Sequence, residues 1–392
     1  MSEGTHTVPS DPRILVCGAL ANKPFNGGNA WSRLSWVLGF RRLGYKVSFI
    51  EQIAPRELTP LSLKYFHSTM EQFGLQHDSA LLSDDGSVAA GASLSDLVAL
   101  AKDAILFNLG GHLQLSDILS AARFRIYYDD DPGFTQLWHA GDIPVPGLGQ
   151  HDAYFTLGTN IGAADCPIPV NGVAWKHTRP PVVLEEWPVA PHHFNRFTTI
   201  ASWRGAYGPV QHGNKTYGVK AHEFRKFLEL PASCANKFEI ALQIHPADRK
   251  DLDRLIANRW SIVDPVQVAG TTNNFRRYIQ ESGSEFSVAQ NIYVETNCGW
   301  FSDRTVRYLA SGKPALVQDT GFTRSYPADE GLVAFRTFDE AIDGAARIAR
   351  DYDRHCKAAR RIAEEFFDSD MILRRLIPVS YTHLTLPTNR EV

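Results

Sequence analysis

Two hydrophobic periods alternate along most of this chain. Apolar runs of strand length fall at residues 13–17, 46–50, 104–108, 124–128 and 153–157. Between them, apolar positions recur at helical spacing. Trp31, Leu34, Val37, Leu38 and Leu43 form one such series, closed by Gly44, and others cover 61–73 and 94–102. A Pro-rich, aperiodic stretch at 165–191 reads as containing a linker. The alternation then restarts. Strands are predicted at 197–201, 238–242, 285–289, 314–318 and 332–335. Helices are predicted at 221–230, 274–281 and from about 339 to 367, the last broken once. Strands that alternate with helices pack as parallel sheets covered by crossover helices. Two such series in 392 residues point to an α/β protein of two units. The predicted division is 1–185, 186–350 and a C-terminal helix over 351–378. Residues 379–392 resemble a translated sequencing adapter and are set aside as a non-native tail.

Composition narrows the function. Apolar residues make up 44% of the chain, enough for two full cores, and 8 Trp with 22 Phe suit aromatic-lined clefts. The net charge of −3, with no basic block, argues against nucleic acid as a partner. The five cysteines, Cys17, Cys166, Cys234, Cys298 and Cys356, are scattered and odd in number, which argues for reduced thiols and a cytoplasmic setting. No segment reaches the length of a membrane span; peripheral membrane contact stays open.

The chemistry concentrates between Ser284 and Phe322, which reads as strand, loop, helix, strand. Ser302 can cap a helix carrying Val306, Leu309 and Ala310 on one face, closed by Ser311-Gly312. The small, polar loop 297–302 would aim backbone N–H groups and a helix dipole at one point, a seat for an anion such as phosphate. This stretch resembles the donor-binding segment of GT-B glycosyltransferases. Ala310-Ser311-Gly312-Lys313-Pro314 matches their small-small-Gly-x-Pro ending. Cys298-Gly299-Trp300 with Ser302 is similar to the nucleotide-sugar box of the family-one enzymes. The chain departs from that box at three places. Asn297 stands where the box has a phosphate-binding His, and Arg307 where it has a Glu gripping the donor ribose. The spacing from Ser302 to Gly312 is also longer. Arg cannot accept hydrogen bonds from ribose hydroxyls, but it can donate to a phosphate or to Asp303, four residues earlier.

The resemblance implies a GT-B architecture: two Rossmann-like domains facing across a cleft, with the last helix returning to the first. It implies donor binding by Arg204 and Lys220, which would answer the charge of a departing diphosphate. Asn297, Gly299, Ser302, Asp303, Arg304 and Arg307 would join them, with Asp319 contacting the sugar. The first turn, 18–30, carries Gly27, Gly28 and Asn29 but no G-x-G-x-x-G and no His. The resemblance therefore transfers no catalytic base, and Asn29 and Asp129 are the candidates left. Gly27, Gly28, Asn29, Asp130 and Asn160 are expected on the acceptor side. Asp129-Asp130-Asp131-Pro132-Gly133 follows a predicted strand. It reads either as a turn and helix cap or as a set of hard metal ligands, and the metal reading fits the GT-B layout poorly.

The expected function is metal-independent transfer of a glycosyl unit from a nucleotide-sugar to a small-molecule or glycan acceptor. No cofactor is expected beyond the nucleotide-sugar as co-substrate. A nucleotide-sugar epimerase of the same fold, and a non-catalytic nucleotide-sugar-binding protein, stay open as alternatives.

Overall fold

The computed structural model describes residues 13–382; residues 1–12 and the end of the expected tail, 383–392, lie outside the described residues. The first series builds an eight-stranded sheet from β1 (Arg13–Cys17), β2 (Lys46–Ile53), β3 (Ser79–Ser83), β4 (Val88–Gly91), β5 (Ala104–Leu109), β6 (Phe124–Asp129), β7 (Ala153–Thr156) and β8 (Trp175–His177). Their order is β4-β3-β2-β1-β5-β6-β7-β8, parallel except for the β3–β4 pair. The second series builds a parallel six-stranded sheet, order β13-β12-β9-β14-β15-β16. Its strands are β9 (Phe197–Ser202), β12 (Phe238–Gln243), β13 (Ser261–Val263), β14 (Ser284–Ser287), β15 (Ala315–Gln318) and β16 (Leu332–Phe335). A hairpin of β10 (Val210–His212) and β11 (Lys215–Tyr217) is inserted after β9. Both sheets are covered on both faces, so their strands are apolar runs rather than alternating ones; all six residues of β5 are buried.

Three features differ from the sequence expectation. The stretch read as linker contains β8, which completes the first sheet. The loop after β14 holds a helix, Asn291–Thr296. The single break expected within 339–367 is present, between Phe338–Arg350 and Tyr352–Phe366, but the helix expected over 351–378 is itself divided, with Ser369–Thr382 separate. Tyr352–Phe366 packs on the helix Asp303–Ala310 of the second half. Ser369–Thr382 returns to the first, where Leu373 fills the space beside Gly39 and Asp370 pairs with Arg42 at 3.1 Å. Residues 379–382, expected in the non-native tail, continue this last helix.

In each sheet the strand order reverses once, between β1 and β5 and between β9 and β14. Loops leave the carboxyl ends of the strands there, which is where open α/β sheets bind ligands. The two halves meet at those loops. Helix Gly27–Arg42, which follows β1, lies against helix Thr272–Gln280: Trp31 Nε1 donates to the Thr272 carbonyl at 2.9 Å. This approach explains the paired glycines. A Cβ on Gly27 would sit 2.3 Å from the Thr271 carbonyl oxygen, and one on Gly28 would sit 2.8 Å from the Phe275 ring. Gly27→Val should therefore destabilise the protein by about 1–3 kcal/mol, the usual penalty of overpacking. Urea unfolding measures this, and an unchanged midpoint would mean that the halves are not so closely seated.

Candidate active site

The site is built from the first loop outward. Residues 18–26 leave β1, and the carboxylate of Glu51 in β2 gathers three of their N–H groups: Leu20 at 2.9 Å, Ala21 at 2.7 Å and Asn22 at 3.1 Å. Glu51 is fully buried, and burial lifts its pKa to about 7 against the pull of those three donors. The glycine-containing turn is thus braced by a side chain, with three N–H groups spent inside the protein. It presents Lys23 and Asn29 to the cleft; Asn29 Nδ2 donates to the Ala19 carbonyl at 2.8 Å.

The three consecutive aspartates divide into three roles. Asp129 is 1% exposed and accepts from Thr135 at 2.7 Å, Gln136 at 2.8 Å and Thr156 at 2.7 Å. Burial raises its pKa to about 6 against those three donors, and its work is to tie the turn to the next helix, Phe134–Ala140. Asp131 accepts from two tyrosines of the second half, Tyr293 at 2.8 Å and Tyr207 at 3.1 Å. Burial and the neighbouring Asp130 raise its pKa. Asp130 also faces the cavities and has no such hydrogen-bonded partners; it lies 3.3 Å from the guanidinium of Arg33.

Two cavities adjoin at this Arg33–Asp130 pair. One, of about 170 Å³, reaches from Ser32 and Trp36 across to Trp300, Asp303 and Arg307 of the second half. The other, of about 290 Å³, lies over the first sheet and is lined by Lys23, Asn29, His112 and Tyr207. Arg33, Asp130 and Asp131 border both. His112 follows β5 at the point where the strand order reverses. Burial, then the charges of Arg33 and Lys23, push its pKa down to about 3, so the imidazole is neutral at physiological pH.

On the second half, Asp303 opens the helix Asp303–Ala310, and Ser302 contributes no side-chain cap. Arg307 is 1% exposed and wedged between the halves. Its Nη1 donates to the Asp303 carboxylate at 2.9 Å, its Nη2 to Ser35 at 3.1 Å, and its guanidinium lies over the Trp187 ring. Ser32 also donates to Asp303. Burial works against the charged Asp303, but Arg307 and Ser32 outweigh it and hold the carboxyl below its ordinary pKa. Arg304 straddles the reversal point of the second sheet. It bonds Glu285 at 2.6 Å, the Ile200 carbonyl at 2.7 Å and Ser287 at 2.9 Å. Lys220 lies beside Arg304 and Glu285, and burial followed by the Arg304 charge lowers its pKa to about 7.

The remaining expected site residues are engaged elsewhere. Gly27 and Gly28 face Thr271 and Phe275 rather than the cleft. Arg204 is exposed and paired with Asp248 at 2.7 Å. Asp319 is 4% exposed and saturated by Gly321 N, Thr323 and Arg336. Asn160 bridges the halves by donating to the carbonyls of Asn297 at 2.7 Å and Gly321 at 3.1 Å. Gly299 stacks against Thr159, so this loop is docked onto the first half. Glu51, Arg33 and His112 went unrecognised in the sequence. A lone Glu inside the apolar run of β2 was the one available signal.

No family model matches the chain, and no curated protein matches its sequence. Solved structures do match across nearly its whole length. Alpha-glucosyltransferase (AGT) in complex with UDP is 12% identical with a TM-score of 0.59, covering 94% of this chain and 99% of that one. AGT is also known with UDP and a 13-mer DNA. Anabaena HepE in complex with UDP and glucose is 11% identical with a TM-score of 0.58, covering 95% and 100%. Sucrose-phosphate synthase from Thermosynechococcus elongatus is 11% identical with a TM-score of 0.55, covering 95% and 99%. The chain therefore has the two-domain GT-B fold of these glycosyltransferases.

Glu51 gives the site a pH signature. Its folded-state pKa near 7 lies above the ordinary 4.5, so between those values the folded protein holds a proton that the unfolded chain releases. Its contribution to stability therefore grows as pH falls from about 8 to about 5, by at most about 1.4 kcal/mol per pH unit. Glu51→Gln cannot titrate. The stability difference between wild type and this variant should widen in favour of wild type over that range, and a pH-independent difference would contradict the assignment.

Proposed function

We propose that this protein transfers a glycosyl unit from a nucleotide-sugar to an acceptor held by the first half, without a metal ion. The observation that carries this reading is the adjacency of the two cavities. One borders the start of a helix without a side-chain cap, the other lies over the first sheet, and Arg33, Asp130 and Asp131 line both. The donor phosphates are assigned to the start of helix Asp303–Ala310 and to Lys220, whose charges answer a departing diphosphate. The UDP in the AGT and HepE structures makes uridine diphosphate the first nucleotide to try. The acceptor is assigned to the Asn29 and His112 side. Asp130 is the carboxylate placed to take its proton, because Asp129 is enclosed and Asp131 is occupied by two tyrosines. The net charge of −3 favours a small-molecule or glycan acceptor over nucleic acid. No helix among the described residues is long and apolar enough to cross a membrane, and a cytoplasmic setting suits the five free cysteines.

One observation favours a second reading, a nucleotide-sugar-binding protein without turnover. Arg307 and Asp319, at positions where the GT-B resemblance expects donor ligands, spend their bonding capacity inside the protein.

Release of nucleoside diphosphate from a panel of nucleotide-sugars, with and without acceptors, separates the readings. We expect release that depends on acceptor and survives EDTA. Asp130→Asn should lower kcat by about 10²–10⁴, the usual weight of a general base. Lys220→Ala should weaken nucleotide binding by roughly tenfold or more, as for a lost charge-assisted hydrogen bond. Binding without any release would select the non-catalytic reading, and acceptor-independent isomerisation of the sugar would select an epimerase.

A further inference from the structure

The cavity over the first sheet has an uneven hydrogen-bonding balance. Its carboxylates are already answered. Both oxygens of Asp131 accept from tyrosine hydroxyls, and Asp130 lies against Arg33. Glu51, beneath the loop, is satisfied by three backbone N–H groups. The cations are answered less completely: among the described residues Arg33 has the ion pair to Asp130 at 3.3 Å and no side-chain hydrogen bond. Arg33 is 7% exposed, and its Nε–H is buried without a hydrogen-bond partner among the described residues. A guanidinium cannot shed its proton, and a buried donor left unpaired is costly. Lys23 stands at the mouth of the same cavity, and its ammonium makes no hydrogen bond or ion pair among the described residues. Its position is fixed from below, because Glu51 holds the N–H groups of Ala21 and Asn22 just before it. Partial loss of solvent, and then the charge of Arg33, lower the Lys23 pKa against the pull of Asp130, Asp131 and Glu51, so the two cations repel one another across the cavity.

We propose that the molecule taken by this cavity is anionic, with a carboxylate or phosphate group seated between Lys23 and Arg33. As the acceptor of the transfer reaction, an assignment that rests on the glycosyltransferase reading, it would be an acidic sugar or a phosphorylated one. An anion there pairs with the Arg33 guanidinium and the Lys23 ammonium and relieves the opposition of the two charges. Neutral His112 and Asn29 remain to contact hydroxyl groups. A cationic ligand is disfavoured, because the carboxylates that would receive it are already bonded.

Calorimetric titration of the native protein with glucose, glucuronate, glucose 6-phosphate and inorganic phosphate tests this. At least one of the three anions should bind tenfold or more tightly than glucose. The stronger sugar identifies carboxylate or phosphate, and inorganic phosphate that matches glucose 6-phosphate assigns the site to the free anion. The preference should shrink in Lys23→Ala and vanish in Lys23→Glu; Lys23 is exposed, and thermal melting checks that both variants fold. Equal affinities for glucose and the anions, no detectable anion binding, or a preference that survives Lys23→Glu would each overturn the proposal. UDP is titrated separately. If UDP binds and the anion preference is absent, this inference alone fails; if anions bind and UDP does not, the donor assignment fails instead.

Discussion

Arg307 carries a positive charge into the contact between the two halves, where it is 1% exposed, and that charge has to be answered locally. Asp303 answers it from the same helix, Ser35 answers from the first half, and the Trp187 ring covers its face. Because Ser32 also bonds Asp303, helix Gly27–Arg42 is fastened to the start of helix Asp303–Ala310 by a network that includes a full ion pair. This contact sets the floor of the cavity between the halves. It also brings Arg33, one residue after Ser32, opposite Asp130. A ribose-binding Glu at position 307 could not play this part, since it would have nothing to donate to Asp303 or Ser35. At this position the chain has a side chain that joins the two halves and also lines the cavity.

A second joint lies at the far side of the cleft. Asn160 holds the carbonyls of Asn297 and Gly321, and Tyr207 and Tyr293 hold Asp131. Between the joints, polar groups near the cleft sort by whether their partners lie inside the protein. Asp129, Asp131, Glu51 and Asp319 are internally satisfied, which fixes loops. Lys23 makes no hydrogen bond or ion pair among the described residues, and Arg33 has only its ion pair to Asp130. The site therefore combines a rigid acidic framework with cationic capacity left over.

The fold was legible because its signals are local. The runs at 104–108 and 124–128 became β5 and β6, and the helical series from Trp31 to Leu43 became helix Gly27–Arg42. Elements of three to six residues escaped: β8 inside the supposed linker, the hairpin of β10 and β11, and the helix Asn291–Thr296. These runs are short, and the three strands also lack the unbroken apolar residues that marked β7, β15 and β16. The site was legible only in part. Asn29, Asp130, Asp303 and Arg307 line the cavities, and the Arg307–Asp303 pair follows from helical spacing. Gly27, Gly28, Asn160 and Asp319 carry the residue types that ligand sites use, but what they meet is decided by residues about 140 to 250 positions away, or by Arg336 in the case of Asp319. Arg33 lies in a helix whose apolar period gives no sign of it, and its place in the site comes from Asp130, in a different strand connection.

The claim that most needs a direct answer is that the donor diphosphate sits in the cleft, at the start of helix Asp303–Ala310. A crystal structure with UDP bound decides it. The account predicts phosphate oxygens within hydrogen-bonding distance of the first N–H groups of that helix and of Lys220 Nζ, on the side of the cavity that contains Trp300. UDP seated elsewhere, for example in the open groove beside Arg276 and Arg277, would contradict it, and so would a cleft left empty at saturating UDP.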